Sequence, residues 1–177
     1  PQVGVFDTAF HQTMPGCAYM YGIPYHYYEK YRVRRYGFHG TSHFYVSRRA
    51  AEILGRPIES LNIVTCHMGN GSSITAVKGG ISVDTSMGFS PLPGIIMGTR
   101  SGDVDALLVS YLEEHEAIDS KAMSHVLNKE SGLLGISGVS SDLRDIEEAA
   151  DAGNARAKLA EEMLCYGAKK YVGSYAA

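Results

Sequence analysis

The chain has 177 residues, enough for one domain or one domain and part of another, and 45% of them are hydrophobic against 20% charged, an ordinary globular balance. Its formal net charge is −3 and no long basic run is available to hold a nucleic acid, so any anion site has to be local. Three scattered cysteines (Cys17, Cys66, Cys165) without Cys-x-x-Cys spacing read as reduced thiols of a cytoplasmic protein, and no apolar run reaches membrane-spanning length.

Taken in chain order, Val3-Gly4-Val5-Phe6 predicts a short strand with Asp7 at its C-terminal end, where open α/β sheets place ligands. Residues 13–36 are crowded with tyrosine and broken by Pro15, Gly16, Gly22 and Pro24. They read as an irregular segment whose cations (Lys30, Arg32, Arg34, Arg35) form a solvated face. Next, Thr41 or Ser42 is placed to cap a helix running to Leu54. Its expected buried face is Val46, Ala50, Ile53 and Leu54, and Gly55 and Pro57 stop it. Strands are predicted at 61–66, 72–77 and 81–84, with tight turns at Gly69-Asn70-Gly71 and Gly79-Gly80, which makes an antiparallel meander packed on helices.

Residues 85–103 form a long loop rich in Gly, Pro and Met, of a length that is usually functional or mobile. Asp103 is placed to cap a helix through about Glu114, with Val104, Leu107, Leu108, Tyr111 and Leu112 facing inward. Further helices are expected at about 120–130, 141–152 and 154–177, with Gly132–Gly138 as a glycine-punctuated link. Both ends read as internal to a longer protein. The chain starts at Pro1, and the helical face of Leu164, Ala168, Tyr171, Val172 and Tyr175 runs out without a cap.

Four features carry chemistry. The tip Cys66–Ser73 reads either as a plain hairpin or as a phosphate cradle, because its glycines admit a ligand and its backbone N–H groups face an anion. Arg100, among glycines, is either a surface cation or the group that neutralises a phosphoryl charge. His39 and His43, with His67 and His11 elsewhere, read as hydrogen-bond donors, structural histidines or metal ligands, although no His-Glu-x-x-His pattern is present. A strand-end Asp7 reads as a turn cap, a magnesium organiser or a phosphoryl-accepting nucleophile.

Five runs resemble the acetate kinase family in order and spacing. They are Val5–His11, Tyr36-Gly37-Phe38-His39-Gly40-Thr41-Ser42-His43, His67-Met68-Gly69-Asn70-Gly71-Ser72-Ser73, Asp84–Phe89 and Gly98-Thr99-Arg100-Ser101-Gly102-Asp103. The departures are Met68 where Leu is usual, Ser90 for Thr, and Pro93 where Glu is common. The resemblance implies an α/β, actin-like and RNase H-like ATPase fold, a mixed sheet with a βββ meander and packed helices. Residues 1–10 would end the first actin-like domain and 11–177 would form most of the second.

It also implies transfer of the γ-phosphoryl group of ATP to acetate, giving ADP and acetyl phosphate, with Mg2+ or Mn2+ as cofactor. Alternatives are a propionate or butyrate kinase, and a non-catalytic ATP-binding module. The implied catalytic residues are Asp7, His39 and Arg100. The ATP phosphates fall to His67, Met68, Gly69, Asn70 and Gly71, and the adenosine to Asp142, Leu143 and Arg144. The main metal ligands would lie outside this chain, with Asp7 organising magnesium through water. The intact protein is expected to be a cytoplasmic homodimer that binds no nucleic acid and no membrane, and the 177 residues alone are expected to be inactive.

Overall fold

Three strands form the sheet: β1 (Asn62–Met68), β2 (Ser72–Lys78) and β3 (Ile81–Thr85), in the order β1-β2-β3. A three-residue connection can only join β1 and β2 as an antiparallel hairpin. The pairing of β2 with β3 is also antiparallel, with Thr75 opposite Thr85 and an irregularity between Ala76 and Val77. Of the mixed sheet expected, the antiparallel meander is what this chain builds. The computed structural model describes residues 1–177 and divides into two compact units. One unit comprises Pro1–His67, Ser73–Pro91 and Tyr171–Ala177; the other comprises Met68–Ser72 and Leu92–Lys170.

In the first unit, β2 is the central strand and is buried from Ser72 through Val77. The apolar side chains Ile74, Val77, Met87, Ala51 and Leu61 are buried, and so are hydroxyls at Thr65, Ser73, Thr75, Ser82 and Thr85. Before the sheet, a 3₁₀ turn (Ala9–Thr13) is followed by helices α1 (Gly16–Tyr19), α2 (His26–Tyr31) and α3 (Gly40–Leu54). Val3–Phe6 does not form the strand predicted for it. No neighbouring strand completes its ladder, and Val3, Val5 and Phe6 are exposed.

Helix α3 differs from expectation at its start and on its face. It begins after His39, in the left-handed region at φ 57°, and Thr41 and Ser42 lie within its first turn. Asp7 takes two N–H groups at its start: the carboxylate accepts from His39 N at 2.7 Å and the Asp7 carbonyl from Gly40 N at 2.8 Å. A Cβ on Gly40 would overlap that carbonyl, so glycine is required there. The buried face is Gly40, His43, Ser47 and Ala51, whereas Val46, Ile53 and Leu54 are exposed. The cause is the surface that α3 meets. His43 reaches hydroxyls of β1 and β2, so the inward residues are small and polar rather than aliphatic.

The cations of residues 30–35 are not all solvated. Arg34 and Arg35 are half-buried, Arg34 sits 3.7 Å over the Tyr19 ring, and Arg35 Nη1 donates to the carbonyls of Thr85, Ser86 and Met87. They tie the tyrosine-rich segment to the end of β3.

The second unit is helical: α4 (Ala106–His115), α5 (Ser120–His125), a π turn (Val126–Glu130), α6 (Gly132–Ser137), α7 (Leu143–Asp151) and α8 (Ala155–Ala176), whose last turns belong to the first unit. Its buried apolar residues are Ile95, Met97, Met123, Leu133, Ile146, Ala157, Ala160 and Leu164. The Gly132–Gly138 link thus contains a short helix. Arg156 holds its C-terminal carbonyls, with Nε donating to Ile136 O at 2.7 Å and Nη2 to Gly135 O at 3.0 Å.

Helix α4 is capped by Asp105, which accepts from Leu107 N, and not by Asp103. Val104, Leu107, Leu108 and Tyr111 are exposed rather than inward. No helix is long and apolar enough to cross a membrane.

Candidate functional site

Arg100 rides on a loop closed at its neck. Gly94 N–H donates to Asp103 Oδ1 at 2.9 Å, and Asp103 N–H donates back to the Gly94 carbonyl at 2.8 Å. Asp103 is therefore a loop clasp, which occupies the carboxylate that a helix cap would need. Inside the neck, Gly102 has φ 69° and a Cβ there would overlap the Gly94 and Ile95 carbonyl oxygens.

The rest of the loop is anchored by the π turn and α6. Ser101 N–H donates to Leu127 O, Thr99 Oγ1 to Asn128 O, Leu133 N–H to Met97 O and Leu134 N–H to Gly98 O. A π turn leaves carbonyls outside the ordinary helical ladder, and here two of them receive the Arg100 loop. The expected long loop is real but strongly held. Arg100 is half-buried, and its Nη1 lies 3.7 Å from Met97 Sδ.

The hairpin tip is built to approach this loop. Gly69 N–H donates to Gly71 O, Ser72 Oγ donates to Gly69 O at 3.0 Å, and Gly98 N–H donates to the Asn70 carbonyl at 3.0 Å. A Cβ on Gly98 would overlap Asn70 Oδ1 and lie 3.0 Å from Ser141 O, so glycine is what lets the Asn70 side chain lie there. The result is a cavity of about 310 Å³ lined by Met68, Gly69, Asn70, Gly98, Asp142 and Leu143, among others.

Asp142 caps α7, accepting from Arg144 N–H at 3.0 Å, and Ser140 Oγ donates to Asp145. The Arg144 guanidinium beside it, at 2.6 Å, holds the Asp142 carboxyl down to about 2, so it is ionised throughout the neutral range. Gly71 and Arg144 do not line the cavity. Gly71 completes the turn behind it, and Arg144 acts by fixing Asp142.

Asp7, His39 and His67 lie in the other unit. The His39 and His67 rings stack with centroids 4.0 Å apart and a 23° interplanar angle. His39 Nδ1 is 2.9 Å from Ser73 Oγ, and His67 Nδ1 is 2.9 Å from Ser42 Oγ. His11, fully buried, donates from Nε2 to Phe38 O and accepts at Nδ1 from Ser82, which fixes the backbone just before His39. Sequence reasoning missed Thr65, and it named His11 and Ser73 without their partners. No local pattern marks these pairings, because four of the five bonds span 27 to 71 residues and that of Thr65 to His43 spans 22.

His43 is fully buried, and burial followed by the nearby His11, His39 and His67 rings pushes its pKa down to about 3. Burial lowers that of His11 as well. The unfolded chain therefore takes up protons below about pH 6.5 that the folded one refuses down to about 3. Stability is complete above the unfolded value and falls as the pH drops, by ~2 kcal/mol at pH 5 for His43 alone. Urea unfolding of the protein at pH 7.5, 6 and 5 should show a falling midpoint, and a constant midpoint would show that these rings are not held neutral.

A magnesium ion needs several oxygen ligands. No group of three or more His, Cys, Asp or Glu side chains converges on a point suited to a metal. One Asp7 oxygen accepts from His39 N–H.

The acetokinase family model matches residues 1–177. The chain belongs to the acetokinase family. It is 63% identical over 177 residues to the acetate kinase of Carboxydothermus hydrogenoformans and 64% identical to that of Caldicellulosiruptor bescii. Each alignment covers all of this chain and 44% of the relative. Among solved structures, the Porphyromonas gingivalis acetate kinase superposes with a TM-score of 0.96 at 56% identity, covering 98% of this chain and 43% of that one. A Francisella tularensis propionate kinase gives 0.93 at 48% identity, covering 97% and 44%. The chain thus spans less than half the length of the acetokinase relatives it matches, and it shares their α/β, actin-like architecture.

Proposed function

We propose that this chain is part of an acetate kinase, a phosphotransferase that moves the γ-phosphoryl group of ATP to acetate and releases ADP and acetyl phosphate. The observation that carries the proposal is the cavity of about 310 Å³ in which the hairpin tip, Met68–Asn70, meets Asp142 and Leu143, two segments distant in sequence. That pairing suits a nucleotide, with the glycine turn toward the phosphates and the start of α7 toward the adenosine. Gly71 completes the turn of the tip, Arg144 orients Asp142, and His67 is proposed to join them at the ATP phosphates. Residues 1–10 would close the first actin-like domain, and 11–177 would belong to the second.

The acceptor is a carboxylate, ionised at neutral pH because such groups titrate near 4. No general base is needed, and transfer is direct and in line. What the protein must supply is positioning and charge neutralisation on the transferring group. Arg100 gives a permanent forked cation on a clasped loop. His39 gives a hydrogen-bond donor to an equatorial phosphoryl oxygen. Asp7 orders the start of α3 and would orient a water of the magnesium ion, whose remaining ligands come from elsewhere in the protein; the bound ion supplies charge neutralisation. The intact protein is proposed to be a cytoplasmic homodimer.

The test is ATP-dependent formation of the acyl hydroxamate by the full-length protein with acetate, propionate and butyrate. Acetate should give the highest kcat/KM. Absence of product with all three acids would overturn the proposal, and preference for propionate would reassign the substrate, as the name of the Francisella neighbour allows.

A further inference from the structure

The histidines of the first unit form a hydrogen-bonded chain whose proton positions follow from counting donors. Ser73 Oγ lies 2.7 Å from His43 Nε2 and 2.9 Å from His39 Nδ1. Ser73 is fully buried, and a hydroxyl has one proton to give. Accepting from both rings would leave that buried proton without an acceptor, since the two rings are the hydroxyl's partners. Ser73 therefore donates to one ring and accepts from the other, and the tautomers of His39 and His43 are locked together. On its far side, His43 Nδ1 is 2.7 Å from Thr65 Oγ1.

Two orders satisfy these three short contacts. In the first, His39 Nδ1–H donates to Ser73, Ser73 to His43 Nε2, and His43 Nδ1–H to Thr65. The Thr65 hydroxyl must then find another acceptor, and the one in reach is the Thr75 carbonyl at 3.4 Å. That is beyond the 2.5–3.0 Å of a good O–H···O bond. In the second order Thr65 donates to His43 Nδ1, His43 Nε2–H donates to Ser73, and Ser73 donates to His39 Nδ1. Every buried donor then has a short bond. Thr65 is itself buried, so the second order wins.

We propose that Thr65, His43 and Ser73 are positioning residues that place the proton of neutral His39 on Nε2. The inference takes its functional meaning from the phosphotransfer reading. With Nε2–H in place, neutral His39 donates a hydrogen bond to a phosphoryl oxygen without first being protonated.

Long-range proton–nitrogen NMR on the full-length protein at pH 8, with ¹⁵N-labelled histidine, tests this directly. In a neutral ring Nε2 couples to both ring C–H groups and Nδ1 to one, so the protonated nitrogen is identified without any activity measurement. His39 and His43 should both carry the proton on Nε2. Finding it on Nδ1 of both rings would mean the first order holds and would overturn the proposal. Ser73→Ala removes the donor to His39, so a Nδ1–H population should appear in that ring. In that variant kcat should fall about tenfold, as for lost outer-shell partners, with KM for ATP and acetate within about twofold. An unchanged His39 tautomer in Ser73→Ala would equally overturn it. Failure of the acetate assay in the native protein would remove the phosphotransfer reading and leave the tautomer result standing.

Discussion

Arg100→Ala should lower turnover of the full-length protein by about 10³–10⁵, the range over which arginine acts on a transferring phosphoryl group. The expectation rests on charge and on rigidity. Guanidinium is cationic at every accessible pH, and its fork matches two phosphoryl oxygens at once. The backbone that carries it is held by the Gly94–Asp103 clasp and by Leu127 O, Asn128 O and α6. Those bonds use main-chain atoms or neighbouring side chains, so truncating Arg100 leaves them in place and the thermal unfolding curve should hardly move. Arg100→Lys should recover little, because an ammonium is a point charge without the fork. The check is kcat for acetyl phosphate formation alongside a melting curve; near-normal kcat in a folded Arg100→Ala would remove Arg100 from the chemistry.

The largest structural effect is expected at Gly132. It has φ 63°, and an added Cβ would overlap the Met97 carbonyl oxygen and approach Arg100 O at 2.7 Å. Positive φ costs an ordinary residue about 1–2 kcal/mol, and overpacking a tight site adds about 1–3 kcal/mol. Gly132→Ala should therefore destabilise the protein by ~3 kcal/mol or more, seen as a lower urea midpoint with an unchanged slope. The atoms it would displace are the main chain of the Arg100 loop, so kcat should drop in the molecules that remain folded. A midpoint and kcat both at the native level would show that the close packing of α6 on the loop is not required. Paired with Arg100→Ala, this separates the cation from the frame that holds it.

Much of the site is legible in short runs of sequence. The tip 67–73 is legible because a Gly-Asn-Gly turn between apolar runs allows few conformations. The Gly98–Asp103 run is legible because closely spaced glycines around one arginine imply a backbone folded tightly behind a presented cation. The errors fall where the partner surface decides the outcome. On α3 the aliphatic positions Val46, Ile53 and Leu54 look like the core face, yet the helix turns His43 and Ser47 inward because it meets a sheet face lined with hydroxyls. On α4 an apolar pattern alone does not bury Leu107 or Tyr111. Asp103 and Asp105 both look like helix caps; the loop neck takes the first and leaves the second.

Strand and turn chemistry act over a few residues, so the amino-acid order settled the meander, the glycine turns and the family. The cavity beside the hairpin tip depends on Asn70 lying against Gly98 and Ser141, and the proton on His39 depends on Thr65 and Ser73. These are contacts between segments far apart along the chain. Local propensity does not encode them, because each exists only after the surrounding core has excluded water and set which donor meets which acceptor.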